Sequence, residues 1–353
     1  MWCEARWKTL AIVTALTFAT VACDDDGPTG VENGVAGVET AVVVNSIDLS
    51  VTVFPVDSPQ MARAIGLAQA GSPVSVAVRR GRAVVPLGLL SAAAVIELAT
   101  SHVRTIPLPD NSGATGVAFL NDSTAYVANP GLNTVSPINV FDGTAAGEIA
   151  VGIYPHAVVA ASDQVLVLNA ELDETFRPAR TGAISVIDPA TNTEVSAILL
   201  SGFNPSAATF GPDGLLYVVN SGTFGQGDGS LSVVDASTLS EVEHHAGFGE
   251  FPGDIAFGSE GHAYVSSFSY GIAVWDTEAD TFIRPPSDPL RLQGSSTVSG
   301  VGFDSQGRLY TLIPGDCTAP SVALRFNPDL SFDREINVGV CPIAIAFTHV
   351  EGP

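Results

Sequence analysis

One cycle of short strands and turns recurs through this chain at a spacing of roughly 45 residues, a period that belongs to repeat architectures. Its clearest copy runs from Gly202 to Gly249. Phe203-Asn204-Pro205 opens it, and Ser206 to Phe210 is a strand of small residues. Pro212-Asp213-Gly214 is a turn, with Pro and Gly where turn geometry favours them. Leu215 to Asn220 reads LLYVVN, and after a Gly-rich loop Ser230 to Asp235 reads SLSVVD. Ala236-Ser237-Thr238 turns again, and Glu241 to Ala246 runs outward. Four short strands joined by turns are the content of one propeller blade.

The cycle repeats along the chain. Its second strand returns as AYVAN at Ala125 to Asn129, VLVLN at Val165 to Asn169, AYVSS at Ala263 to Ser267 and LYTLI at Leu309 to Ile313. Its third strand returns as INVFD from Ile138, ISVIDPAT from Ile184, IAVWDTEA from Ile272 and ALRFNPD from Ala323. Pro73, Pro155, Pro205, Pro252 and Pro342 mark the opening strands. A further blade precedes these copies, with strands expected over Ser72–Val78, Arg82–Leu87, Ala92–Leu98 and His102–Leu108. Leu89 to Leu98 has helical composition taken alone, but the repeat register makes it a strand.

The two ends complete each other. Thr40–Asn45, Leu49–Pro55 and Ala62–Ala68 read as second, third and fourth strands with no first. Pro342 to Phe347 is a first strand with nothing after it. Pairing the last strand with the first three closes a ring and hides the sheet edge between the termini. The expectation is therefore an all-β, seven-bladed β-propeller of four-stranded antiparallel blades over residues 39–353.

Composition agrees. Of 353 residues, 46% are hydrophobic, enough for a substantial core. The formal net charge of −23 repels phosphate backbones, so nucleic acid is excluded as a partner. Residues 1–22 read as a signal: Arg6 and Lys8 form a basic start, and Thr9 to Ala22 is an apolar run too short for a comfortable span. Thr20-Val21-Ala22-Cys23 resembles the bacterial lipobox, in which the Cys is acylated, although Thr20 stands where an aliphatic residue is usual. Signal cleavage nearby without a lipid is the alternative. Residues 23–38 form a flexible tether after Cys23. The expected location is the bacterial cell envelope, lipid-anchored to a membrane and facing the periplasm or the exterior. Cys317 and Cys341 remain as an even pair in an oxidising compartment, where a disulfide is expected and two buried thiols are the alternative.

The YVAN and YVVN strands, the third strand ending in D-x-x-T and the Pro-led opening strand resemble the YVTN β-propeller repeat family. The resemblance spans nearly the whole mature chain. It implies a secreted or surface protein that binds, scaffolds or adheres. Ser267, Ile313 and Leu87 depart from the motif Asn. Asn45, Asn129, Asn169 and Asn220 are read as structural, each bonding its own turn backbone.

No catalytic motif stands out: GxSxG, HExxH, a P-loop and CxxCH are all absent. No cofactor or metal is expected. His244 and His245, adjacent on an outer strand, point to opposite faces and cannot share one metal. Candidate ligand-binding residues are Tyr154, His156, Phe203, Asn204, Phe251 and Asp254, on loops that share one face around the channel. Tyr154, Phe203 and Phe251 also suit gap-filling between blades. The expected role is a monomeric binding or scaffold propeller for a protein, peptide or small molecule. The alternative is a lactonase-type hydrolase using His156 or Asp254 with metal or cationic help. A cage of Glu, Asn and Asp at the channel mouth would favour that alternative; a channel of small apolar residues would sink it.

Overall fold

The computed structural model describes residues 37–351 except 162, 291–292 and 294–295. The signal, Cys23 and the tether as far as residue 36 lie outside the described residues. The strands group by blade in chain order. Blade 1 holds β1 (Val38–Asn45), β2 (Ser50–Pro55) and β3 (Arg63–Gly66), and blade 2 holds β4 (Ala77–Arg79), β5 (Arg82–Pro86), β6 (Ala92–Glu97) and β7 (His102–Pro107). Blade 3 holds β8 (Val117–Phe119), β9 (Thr124–Asn129), β10 (Thr134–Asn139), β11 (Thr144–Ala145) and β12 (Ile149–Ala150). Blade 4 holds β13 (Pro155–Ala160), β14 (Val165–Asn169), β15 (Ala183–Asp188) and β16 (Thr193–Leu199). Blade 5 holds β17 (Pro205–Phe210), β18 (Leu216–Asn220), β19 (Gly229–Asp235) and β20 (Ser240–Gly249). Blade 6 holds β21 (Pro252–Phe257), β22 (Ala263–Ser267), β23 (Gly271–Asp276) and β24 (Thr281–Arg284). Blade 7 holds β25 (Gly300–Phe303), β26 (Leu309–Ile313), β27 (Pro320–Phe326) and β28 (Phe332–Val340). The last strand, β29 (Pro342–Val350), pairs antiparallel with β1 from Val38↔Val350 to Val44↔Ala344 and becomes the inner strand of blade 1. The chain is thus the seven-bladed ring that the repeat predicts.

Seven apolar clusters hold the ring, one in each gap between neighbouring blades. The second strands explain how. Leu216 and Val218 of β18 face blade 4, while Tyr217 and Val219 face blade 6. Side chains of a strand alternate between faces, so a strand sandwiched between blades is apolar at every position. Sliding β18 by one residue would exchange the two sets and misfit both gaps. Outer strands bury one side only, as the exposed and half-buried positions of β16 and β20 show.

The motif Asn residues are buried, but they do not bond their own turns. Each reaches hydroxyls on the third strand: Asn220 Nδ2 to Ser232 Oγ at 2.8 Å, Asn169 to Ser185 at 2.9 Å, Asn129 to Ser136 at 2.8 Å, and Asn45 to Ser50 and Thr52 at 3.0 Å each. The preceding glycine makes room. A Cβ at Gly202 would sit 2.2 Å from Asn220 Nδ2, and one at Gly152 2.6 Å from Asn169 Nδ2. The spacing Gly-x-x-Pro recurs at Gly152, Gly202, Gly249 and Gly339, three residues before the opening Pro. The Asp that ends a third strand caps the next turn instead: Asp235 Oδ1 accepts from the amides of Ser237 and Thr238, and Asp276 from those of Glu278 and Ala279.

Two blades depart from the expected pattern. In blade 2 the inner strand covers Ala77–Arg79 rather than Ser72–Val78. Before it, the Ser72 amide donates to Leu87 O and the Ser75 hydroxyl to Thr115 O, so these residues are held in the ring without a full ladder. In blade 3 the fourth strand is split into β11 and β12, both on β10. Pro137 sits in the middle of β10 and has no N–H to give a partner strand there.

The seam between blades 7 and 1 is fastened at three levels. Cys317, in the β26–β27 loop, forms a disulfide with Cys341, the residue before β29, across a Cα–Cα distance of 4.5 Å. Within the channel Ser299 Oγ donates to Pro342 O at 2.6 Å. On the far side Arg308 Nη1 meets Asp57 Oδ1 at 2.8 Å, and the Ser305 amide donates to Glu39 at 2.8 Å.

Candidate functional site at the channel

The disc has two unlike faces. On one, here the mouth face, inner strands begin and second strands turn into third strands. On the other, the tail face, inner strands end and β1 begins.

The mouth face is shaped by one repeated backbone device. The residue before the opening Pro has positive φ in four blades: Tyr154 at 54°, Asn204 at 56°, Phe251 at 49° and Cys341 at 59°. This left-handed turn swings the chain from one blade's outer strand into the next inner strand. A bulge follows, because Pro155 pairs with Asn169 while Ala157 pairs with Leu168. The unpaired residue is His156, and Ser206 and Gly253 hold the same place in blades 5 and 6. Bulges re-aim side chains, and here they supply links between inner strands.

Those links run round the channel. Thr115 Oγ1 donates to His156 O at 3.0 Å, and His156 Nδ1 lies 3.2 Å from Ser206 O. A carbonyl only accepts, so Nδ1 carries the proton and Nε2 holds the lone pair. Burial pushes the imidazole below its usual range, against the pull of the Ser206 carbonyl. Ser221 Oγ lies 2.7 Å from both Ser206 Oγ and Pro252 O, so the hydroxyl links the inner strands of blades 5 and 6. Asp254 continues the chain of contacts, taking the Ile255 amide at 2.9 Å and the Val301 amide of blade 7 at 3.1 Å.

The six candidate residues therefore divide. Tyr154 and Phe251 sit at the mouth, each edge-on to an exposed loop aromatic: Tyr154 with Phe176 at 5.8 Å and Phe251 with Phe224 at 5.3 Å. Phe203 lies between them on blade 5. Asn204 serves its own turn, its backbone carbonyl taking the Ser221 amide and its Nδ2 reaching Gly222 O at 3.4 Å. His156 and Asp254 lie further in. Phe176 and Phe224, 69% and 78% exposed, are the residues that sequence reasoning missed. Among the described residues, eight of the sixteen exposed large apolar side chains stand on mouth-face loops. Phe176, Phe203, Phe224 and Phe268 stand on loops of blades 4 to 6, and Ile47, Leu89, Leu90 and Ile153 on other loops of the same face. A groove of about 430 Å³ between blades 1 and 2 includes Ile47, Leu89 and Leu90 in its wall.

Below the links a cavity of about 700 Å³ runs from Asp254 to the tail face. Its walls are mainly inner-strand backbone and small apolar residues such as Val158, Ala160, Ala208, Ala256 and Ala346. Glu39, Arg79, Ser305 and His349 ring the tail end. Burial pushes the Asp254 carboxyl up to about 6, partly offset by the amides of Val301 and Ile255. A carboxyl raised in the folded state binds its proton more tightly there than in the unfolded chain. Its destabilising contribution is therefore complete above pH about 6 and fades as the pH falls toward its ordinary value of 3.8. Asp254→Asn should remove this component, so the difference in urea midpoint between variant and parent should shrink as the pH falls from 7 to 4. A constant difference would contradict it.

Among the described residues the one group of three metal-ligating side chains lies elsewhere, at the outer edge of blades 5 and 6. Glu243, His245 and Asp280 meet there, with the His245 ring packed 4.6 Å from Trp275. His244 turns the other way, toward Ser232 Oγ at 3.4 Å.

No family model matches the chain, and no curated protein matches it. Solved structures do. A functionally unknown protein from Desulfotomaculum acetoxidans aligns with a TM-score of 0.65 at 15% identity, over 88% of this chain and 99% of that one. Virginiamycin B lyase from Staphylococcus aureus aligns with a TM-score of 0.62 at 12% identity, over 78% and 88%. Hydrazine synthase of Kuenenia stuttgartiensis aligns with a TM-score of 0.60 at 15% identity, over 74% and 78%. At these identities the likeness is one of fold, and with the seven blades it places the chain among the β-propellers.

Proposed function

We propose that this protein is a YVTN-type binding propeller of the bacterial cell envelope, held to a membrane through Cys23, whose mouth face docks a peptide or protein segment bearing apolar and basic side chains. The observation that carries this reading is the group of exposed aromatic side chains, Phe176, Phe203, Phe224 and Phe268, on the mouth-face loops of blades 4 to 6. Contiguous exposed apolar surface rimmed by polar groups marks interaction sites. The same loops bear Asp173, Glu174, Asp228, Glu250 and Asp316 against Arg177 and Arg180, which favours basic groups on the partner. The hydrolase alternative asks for convergent carboxylates or amides, whereas the cavity holds Asp254 among small apolar walls. At its tail end Glu39 is engaged by Ser305, and Asp304 by Arg308.

Selection of a displayed peptide library on the purified protein tests the docking face. Enriched peptides should combine aromatic or aliphatic residues with Lys or Arg. Phe176→Ser and Phe224→Ser should each weaken them at least about tenfold, the size expected of aromatic anchors. Peptides that bind both variants as well as the parent would place recognition elsewhere. The anchor has its own test: Cys23→Ser should move the protein from the membrane fraction to the soluble one, since two acyl chains give stable attachment. Unchanged fractionation and an unmodified Cys23 would reject the anchor and leave the docking face standing.

A further inference from the structure

The channel cavity has a chemistry of its own, separate from the aromatic mouth. Its volume, about 700 Å³, falls within the range of small-molecule sites, roughly 300–1,000 Å³. Its walls combine inner-strand backbone with apolar side chains such as Val158, Ala208 and Ala256, and one carboxylate, Asp254, stands at the inner end. That carboxylate accepts two backbone amides, one on each oxygen, and it has no ion pair among the described residues. Blades surround it on both sides, so water cannot fully solvate it. A carboxylate in such a place stays costly until a cation neutralises it.

Two further features favour a cation there. The inner strands pair with one neighbour each, so their other edges turn backbone carbonyls and amides toward the channel. The chain as a whole carries −23, which raises the local concentration of cations around it. A hard metal ion fits poorly. Asp254 is the one carboxylate at the inner end and neutralises a single positive charge, so a divalent ion seated there would keep an uncompensated charge away from water. An organic ammonium fits well. Its N–H groups match Asp254 and strand-edge carbonyls, and its hydrocarbon body matches Val158, Ala208 and Ala256.

We propose that the central channel is a binding site for a small organic cation, a protonated amine with an apolar body, entering from the tail face and seated with its ammonium on Asp254. Calorimetry on the purified protein tests this with benzylammonium, benzyl alcohol and benzoate, which differ mainly in charge. Benzylammonium should bind at least tenfold more tightly than benzyl alcohol, and benzoate should not bind. Asp254→Asn should abolish the preference for the ammonium, while Phe224→Ser at the mouth should leave it intact. Equal binding of the amine and the alcohol, or no binding of either, would overturn the proposal. So would ammonium affinity that survives Asp254→Asn. The comparison of the three probes on the parent protein needs no variant, so the proposal stays testable if Asp254→Asn fails to fold.

Discussion

A chain that ends at Cys341 will not form a cooperatively folded disc. β29 is the inner strand of blade 1, and without it β1 keeps β2 but loses its inner partner from Val38↔Val350 to Val44↔Ala344. Ile345 and Phe347 leave the apolar cluster between blades 7 and 1, and Ile343 and Ala344 leave the one between blades 1 and 2. Each apolar side chain of that size accounts for about 1.5–3 kcal/mol when fully buried. Half-buried residues give less, but several together approach the 5–15 kcal/mol that separates folded from unfolded domains. The open edge of β1 would also template pairing with other chains. The truncated protein should show no sharp thermal transition and should aggregate. A truncated protein that melts at the temperature of the full chain would refute closure by β29.

The second large effect is expected at Arg308, on the far side of the same seam. The Asp304 carboxylate is wholly buried, with Arg308 Nε 2.6 Å from one oxygen and Tyr310 OH 3.1 Å from it. Removing one partner of a buried pair leaves an uncompensated charge, at a cost of about 3–5 kcal/mol. Arg308→Ala should therefore lower the unfolding free energy by about 3 kcal/mol in urea titrations. Asp57→Ala cuts only the outer arm of the network, where Asp57 is 67% exposed, and should cost less than about 1 kcal/mol. Similar losses from the two variants would mean that the buried Asp304–Arg308 pair within blade 7 contributes no more than the exposed arm that crosses the seam to Asp57. The disulfide on the mouth face is comparable in size: it closes a loop of 24 residues, worth on the order of 3 kcal/mol in the chain-entropy model.

The architecture was legible because sandwiched second strands cannot hide. Every position of LLYVVN or VLVLN must be apolar to fill two gaps at once, and the Asp that follows the third strand marks its turn. Inner strands carry a weaker signal. Their small residues suit a crowded channel but say little about where pairing starts, so the first strand of blade 2 was expected five residues too early. The partner of each motif Asn was likewise invisible locally, since it lies on a strand up to sixteen residues away; the Gly-x-x-Pro spacing was the clue. At the site, Pro-marked turns pointed to Tyr154, Phe203, Asn204 and Phe251. Phe176 and Phe224 belong to loops whose exposure no periodicity reveals. The environment of Asp254 is set in part by the neighbouring blade 7, from a residue some fifty positions away.

The point at which the chain leaves the ring sets how the molecule stands in its surroundings. Val38 pairs with Val350 on the tail face, opposite Tyr154, Phe203 and Phe251. A tether that runs from Val38 back to a lipid on Cys23 would join the disc at its tail face. The aromatic rim would then look outward, away from the bilayer, to meet large partners arriving from that side. The channel opening, ringed by Glu39 and His349, would look down toward the lipid, within reach of small solutes that collect at the membrane surface.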